Sequence, residues 1–223
     1  MATAPHALPN VPLVPPDQTL VARTVETHLS PGLILRELTP LAGDASNRRY
    51  YRLTLAGGPP HSVILMQLAE PEGFKQSEEA VSGATHAITE LPFLNVMSHL
   101  AKAEVPVPAL QYYDQTAGLL YLEDFGDVTL AEAVSQADAA TLESRYKQAI
   151  NVLVQMQVKA TTPADPGCLA FHRSFDVPLL MWEFDHFFEY GVVVRGGAPM
   201  REDDEAAIRQ ECERIADLLA GQP

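Results

Sequence analysis

Cysteine is scarce in this chain, and its scarcity removes two classes of protein at once. Cys168 and Cys212 stand far apart, with no Cys-x-x-Cys pair and no Cys/His cluster. Neither a disulfide framework nor a zinc site has the residues it needs, and both thiols read as buried and inert. Long apolar runs are missing too, since nothing approaches the roughly 18 consecutive apolar residues of a membrane span. The proline-rich start, Met1 to Pro16, has neither the basic opening nor the apolar block of a signal peptide. It reads as a frayed tail on a soluble, cytoplasmic protein. Positive charge is also short: 15 Lys and Arg face 29 Asp and Glu, for a formal net charge of -14. Such a balance opposes any broad grip on nucleic acid or an anionic membrane. His6, His28, His61, His86, His99, His172 and His186 follow no His-Glu-x-x-His or other metal spacing, and Ser46 has no nucleophile-elbow context. No segment repeats at a fixed period.

What is present is enough apolar material for a core. With 223 residues, 47% hydrophobic and 20% charged, the chain can fold as one large domain or two small lobes. Residues 1–19 are expected to be a disordered tail, with Asp17 capping a short helix in which Leu20, Thr24 and His28 share a face and Gly32 closes the segment. Then the period changes to two. Leu33 to Leu41, Tyr50 to Leu55 and Ser62 to Met66 read as strands, the last two joined by the turn Gly57-Gly58-Pro59-Pro60. From Glu72 the pattern is helical, broken near Pro92, and Phe93, Met97 and Leu100 recur at spacings of four and three. Leu110 to Tyr113 and Leu119 to Leu122 flank a further turn, completing a five-stranded antiparallel meander with one inserted helix. A polar link, Glu123 to Asp127, leads into helices. There Leu142, Tyr146, Ala149, Leu153 and Met156 form one apolar stripe and Ile208, Cys212, Ile215 and Leu219 another, both expected to face a core. The class is α+β with segregated halves, 20–122 and 123–223.

The segment with the most chemical content is Gly43-Asp44-Ala45-Ser46-Asn47-Arg48-Arg49-Tyr50-Tyr51-Arg52, a small-residue turn opening into an arginine-bearing strand. Its N–H groups can converge on phosphate oxygens while Arg48 or Arg49 supplies charge. An ordinary solvated hairpin fits the same residues. Farther on, Trp182, Glu183, Asp185, Phe188 and Glu189 combine aromatic faces with carboxylates in the way sugar sites do, although Trp182, Phe184 and Phe188 also suit a core. Asp185-His186 could imitate a base with its orienting partner, but a surface or capping histidine is the commoner use of such a pair.

The Gly43 to Arg52 segment resembles the signature of the aminoglycoside-phosphotransferase-like kinases, closest to those acting on the anomeric hydroxyl of N-acetylmuramate and N-acetylglucosamine. Leu119-Leu120-Tyr121-Leu122-Glu123-Asp124-Phe125-Gly126-Asp127-Val128-Thr129-Leu130 is similar to that family's fifth strand and hinge, and Phe175 to Asp185 to its acceptor-site helix. The resemblance implies a protein-kinase-like fold, a five-stranded N-lobe with one helix followed by the first helices of an incomplete C-lobe. It implies ATP and magnesium as cofactors and a small sugar as acceptor, with nothing to set an oligomeric state. Gly43, Asp44, Ala45, Ser46, Asn47, Arg48 and Arg49 would cover the nucleotide phosphates. Adenine would lie along Leu122, Glu123, Asp124 and Phe125, read by main-chain groups, with the Glu123 and Asp124 side chains solvated. Trp182, Glu183, Asp185 and Glu189 would meet the acceptor.

Two departures qualify that likeness. Met66 stands where many kinases carry a strand-three lysine, so either Arg48 or Arg49 supplies the charge or nucleotide binding is weak, and Glu78 and Glu79 need not pair with a lysine. No His-x-Asp-x-x-x-x-Asn loop occurs, so the sequence offers neither a catalytic aspartate nor metal ligands, and it reads as a fragment of a longer kinase. An aminoglycoside- or choline-type kinase, or a nucleotide-binding remnant without chemistry, fits the same features.

Overall fold

The computed structural model describes residues 14–42, 48–68, 90–197 and 199–222. They form two compact units, one containing 14–68 and 108–127 and the other 90–107 and 128–222.

The first unit is a sheet with a helix. Asp17 caps α1 (Gln18–Thr24) by accepting a hydrogen bond from the Thr19 N–H at 2.8 Å, and the helix widens into a π-turn over Val25–Leu29. Strands β1 (Ile34–Pro40), β2 (Arg49–Ala56) and β3 (Ser62–Gln67) follow, then β4 (Leu110–Asp114) and β5 (Leu119–Glu123). Between β2 and β3, only glycine can occupy position 57: φ is +103°, and a Cβ there would lie 2.0 Å from the Gly32 carbonyl oxygen.

All five strands run antiparallel in the order β1-β2-β3-β5-β4. The simple meander expected from the sequence is therefore corrected, because β5 and not β4 lies beside β3. Burial gives the reason: Leu119, Leu120, Tyr121 and Leu122 are buried on both faces of the sheet and need an interior position, whereas β4 has no buried residue and takes the edge. Tyr51, Leu53, Leu55, Val63, Leu65, Leu119 and Tyr121 form the core together with Val21, Val25 and Leu33 from the helix and the loop after it. Each such side chain contributes about 1.5–3 kcal/mol relative to exposure.

The second unit is helical. In α2 (Pro92–Lys102) the proline sits in the first turn, where a missing N–H costs nothing, so the helix starts there rather than breaking. The helical pattern expected from Glu72 to residue 89, with Glu78 and Glu79, lies outside the described residues. Buried Asn95 anchors α2, donating to Glu90 at 2.5 Å and the Gly167 carbonyl at 2.9 Å and accepting from the Leu169 N–H at 2.8 Å. His99 adds contacts to the Ala160 carbonyl at 2.7 Å and Asp165 at 3.3 Å. Thr129 and Glu132 close a capping box on α3 (Leu130–Val134), and Asp138 caps α4 (Ala139–Lys159). Then come α5 (Val177–His186), a π-turn over Phe187–Val194 and α6 (Glu202–Ala220).

Here the expected apolar stripes are corrected. No residue of α4 is buried, and Leu142, Tyr146 and Leu153 are each more than 40% exposed. In α6, Cys212 and Ala216 are buried, but Ile208, Ile215 and Leu219 are exposed. Spacing alone marks a face that can pack, and among the described residues these faces find little apolar surface to pack against. Both thiols are free and buried, as read.

Candidate functional site

Strand alternation sorts the β2 side chains before any contact is considered. Tyr51, Leu53 and Leu55 point into the core, so Tyr50, Arg52 and Thr54 share the opposite face. Across the sheet, Ile64 and Leu122 stand in register with Arg52, and Met66 and Leu120 with Tyr50. Met66 is fully buried, so the place of the missing lysine is apolar in this protein.

From that row the Arg52 guanidinium reaches the link that follows β5. Its Nε and one terminal nitrogen hold both Asp124 carboxylate oxygens, at 2.7 and 3.1 Å, and its other terminal nitrogen holds Asp127 at 2.8 Å. The Asp124 carboxylate also accepts from the Gly126 N–H at 2.8 Å, with Gly126 in the left-handed region at φ +78°. Burial works to raise the Asp124 pKa, but these hydrogen bonds and the arginine's charge overcome it and hold the carboxyl below its usual range. Asp127 is lowered by its hydrogen bond from Arg52, and bonding to Asp127 and Asp124 raises the arginine in turn. Far from being solvated, the Asp124 side chain is only 5% exposed.

Glu123 differs from expectation in another way. It ends β5, its N–H donates to the Ala109 carbonyl at 2.9 Å, and its carboxylate accepts the Ala109 N–H at 3.0 Å. The link proper is thus Asp124 to Asp127. Within it Phe125 is two-thirds exposed, and its N–H has no acceptor among the described residues.

A five-stranded antiparallel sheet ending in an acidic link is the context that the likeness implies. The sequence model of the phosphotransferase enzyme family (APH) matches residues 37–183, which spans β1 through most of α5. The chain belongs to this family. Among curated proteins, it is 28% identical over 186 residues to an N-acetylmuramate/N-acetylglucosamine kinase of Pseudomonas putida and 25% identical over 187 residues to the protein of that name from Pseudomonas aeruginosa. Those alignments cover 83% and 84% of this chain and 47% of each relative, so the chain spans about half the length of the curated relatives it matches.

The other expected site residues are distributed as follows. Gly43 to Asn47 lie outside the described residues. Arg49 opens β2 opposite Gln67, exposed, with Arg48 just before it. On α5, Asp185 is held by Arg209 of α6 at 2.5 Å, while Glu183 is exposed. Trp182 meets His186 edge-on at 4.0 Å between ring centres, and the His186 Nδ1 lies 3.0 Å from the Trp182 carbonyl oxygen. The Asp185-His186 pair is therefore divided between two other partners. Glu189 falls within the π-turn that follows α5. Phe188 is buried, with Arg209 over its ring at 4.9 Å, which is the core alternative.

Magnesium does not fit what is described. Asp124 and Asp127 converge on a guanidinium, and among the described residues no three His, Cys, Asp or Glu side chains gather as ligands. Also among the described residues, no helix is long and apolar enough to cross a membrane. Sequence reasoning missed Arg52 and Asp127. A signal was available in part, since Arg52 alternates with the core residues Tyr51 and Leu53 and had to leave the sheet on the other face.

Proposed function

We propose that the chain is the nucleotide-binding portion of an ATP-dependent kinase that phosphorylates a hydroxyl of a small amino sugar, N-acetylmuramate or N-acetylglucosamine. The observation that carries this reading is the link after β5: Arg52 holds residues 124–127 in one conformation and leaves the Phe125 main chain and ring presented outward. An adenine edge needs such a fixed main-chain donor and an adjacent apolar face. The two Pseudomonas relatives, named for their sugars, support the acceptor class. ATP supplies the phosphoryl group. Leu122 and Phe125 would flank the base, the Gly43 to Arg49 turn would cover the phosphates, and Arg48 would take the role that buried Met66 cannot, since Arg49 alternates to the other face of the sheet. The general base and the magnesium ligands would come from polypeptide outside these 223 residues. Of the acceptor candidates, Glu183 and Trp182 are the better placed, because Asp185 is committed to Arg209.

Titrating the isotope-labelled chain with ATP tests the reading directly. Amides of 43–49 and 122–126 should shift, and N-acetylglucosamine should move those of 182–189 with little dependence on salt. Silence at 122–126 would overturn the nucleotide assignment. A response to an aminoglycoside that falls steeply with salt would replace the sugar with a cationic acceptor.

A further inference from the structure

We propose that Arg52 is a positioning residue for adenine recognition, acting on the nucleotide through the link and not through phosphate. The inference rests on the nucleotide site proposed above and assigns a role to the one arginine of the Gly43 to Arg52 segment that the likeness leaves without one.

The geometry separates Arg52 from its neighbours. Arg49 projects from β2 on the face opposite Arg52 by strand alternation. Arg52 is spent on carboxylates, with three hydrogen bonds of 2.7, 3.1 and 2.8 Å to Asp124 and Asp127. One guanidinium therefore ties down both ends of a four-residue link, while the Gly126 N–H donates a further hydrogen bond to the buried Asp124 carboxylate. Only a planar fork can hold two oxygens of one carboxylate and reach a second. Between the two anchored residues stands Phe125, the residue with the available N–H. A link already ordered in the free protein spares the ligand the cost of ordering it, and this is how a residue that never touches adenine can set its affinity.

The test uses the 223-residue chain, Arg52→Ala, Arg52→Lys and Asp127→Asn, each titrated with ATP, adenosine and inorganic tripolyphosphate. Arg52→Ala should weaken ATP and adenosine by about tenfold and leave tripolyphosphate unchanged. Lysine should not rescue it. Asp127→Asn keeps the buried Asp124 pair, so it should fold as the unaltered chain does and show the same pattern with a smaller loss. In the ligand-free protein, the Gly126 amide, which is bonded to the Asp124 carboxylate, should exchange faster in Arg52→Ala than in the unaltered chain. Equal losses for tripolyphosphate and ATP would make Arg52 a phosphate ligand and overturn the inference, as would unchanged adenosine affinity. If the unaltered chain binds none of the three probes, the nucleotide reading falls, and unchanged amide exchange would then sink the clamp on its own.

Discussion

The sheet unit and the helical unit spend their apolar residues differently. In the first, Leu53, Val63, Leu65, Met66, Leu120 and Tyr121 are at most 1% exposed, and α1 and the loop after it cover the sheet's core face. In the second, α4 displays Ile150, Leu153, Val154 and Val158 at 48–63% exposure. Strand alternation assigns each side chain to a face, and neighbouring strands extend that face into a layer a short helix can close. Helix formation asks less: Asp138 at the N-cap and the Glu143–Lys147 pair at i,i+4 favour α4 whether or not its surface is covered. The comparison separates an element that is locally well specified from one that is stably packed. Most helical stability in proteins comes from packing, so the sheet unit should carry most of this chain's stability, and the uncovered helix is where association or aggregation would begin.

The strongest way to break that contrast is a core truncation. Leu65→Ala removes a fully buried side chain from the middle of β3, between β2 and β5. It should cost about 2–5 kcal/mol, through lost burial and the cavity left behind. Denaturant titration followed by the amide signals of 49–67 and 119–123 reads this directly. A loss below about 0.5 kcal/mol would mean that the sheet has no dense core and that the two units are alike.

Acid should act next, and on the sheet unit first. In the unfolded chain Asp124 and Asp127 titrate near the ordinary aspartate value of about 3.9. In the folded chain Arg52 holds both lower. The stabilisation is therefore complete above that ordinary value and is lost as pH falls through the depressed folded pKa. Link amides should loosen in that acid window, and Asp124→Asn should flatten the response. At the other end, Tyr121 is pushed up to about 12, chiefly by burial. Its hydroxyl makes no hydrogen bond, although buried Thr24 is close enough to act on it. The unfolded chain ionises this group near 10, so stability should fall as pH rises from there through about 12, and Tyr121→Phe should reduce that fall, leaving the smaller part due to Tyr113, which burial also raises.

Much of the sheet unit was legible because its signals are local. The Asp17 cap, the glycine turn at Gly57, and the alternation in Tyr50 to Leu55 each act within a few residues, and each is found where the sequence put it. The order of strands was not legible, since the choice of β5 over β4 as the partner of β3 depends on burial on both faces. The Arg52–Asp124 pair joins positions 72 residues apart, and no periodicity reports such a contact. On the acceptor side, the run Trp182 to Glu189 was readable as a helix, but its change of winding at Phe187 and the claim of Arg209 on Asp185 come from tertiary structure. The turn from Gly43 to Asn47 stays a reading of the sequence.

The smallest effect sharpens the comparison most. Leu153 is as apolar as Leu65, yet it stands 48% exposed on α4. Leu153→Ala removes little packing and substitutes a better helix former, so the change in stability should stay within about 0.5 kcal/mol. The two leucine substitutions differ chiefly in what surrounds the side chain and to a smaller extent in helix and strand propensity, so the gap between them measures mainly burial in each unit. A loss of 2 kcal/mol or more at Leu153, within the range of about 2–5 kcal/mol for buried positions, would show that α4 is covered in solution. Repeating the measurement across a wide range of protein concentration would then identify the cover, because a second copy of the chain makes stability depend on concentration and an intramolecular contact does not.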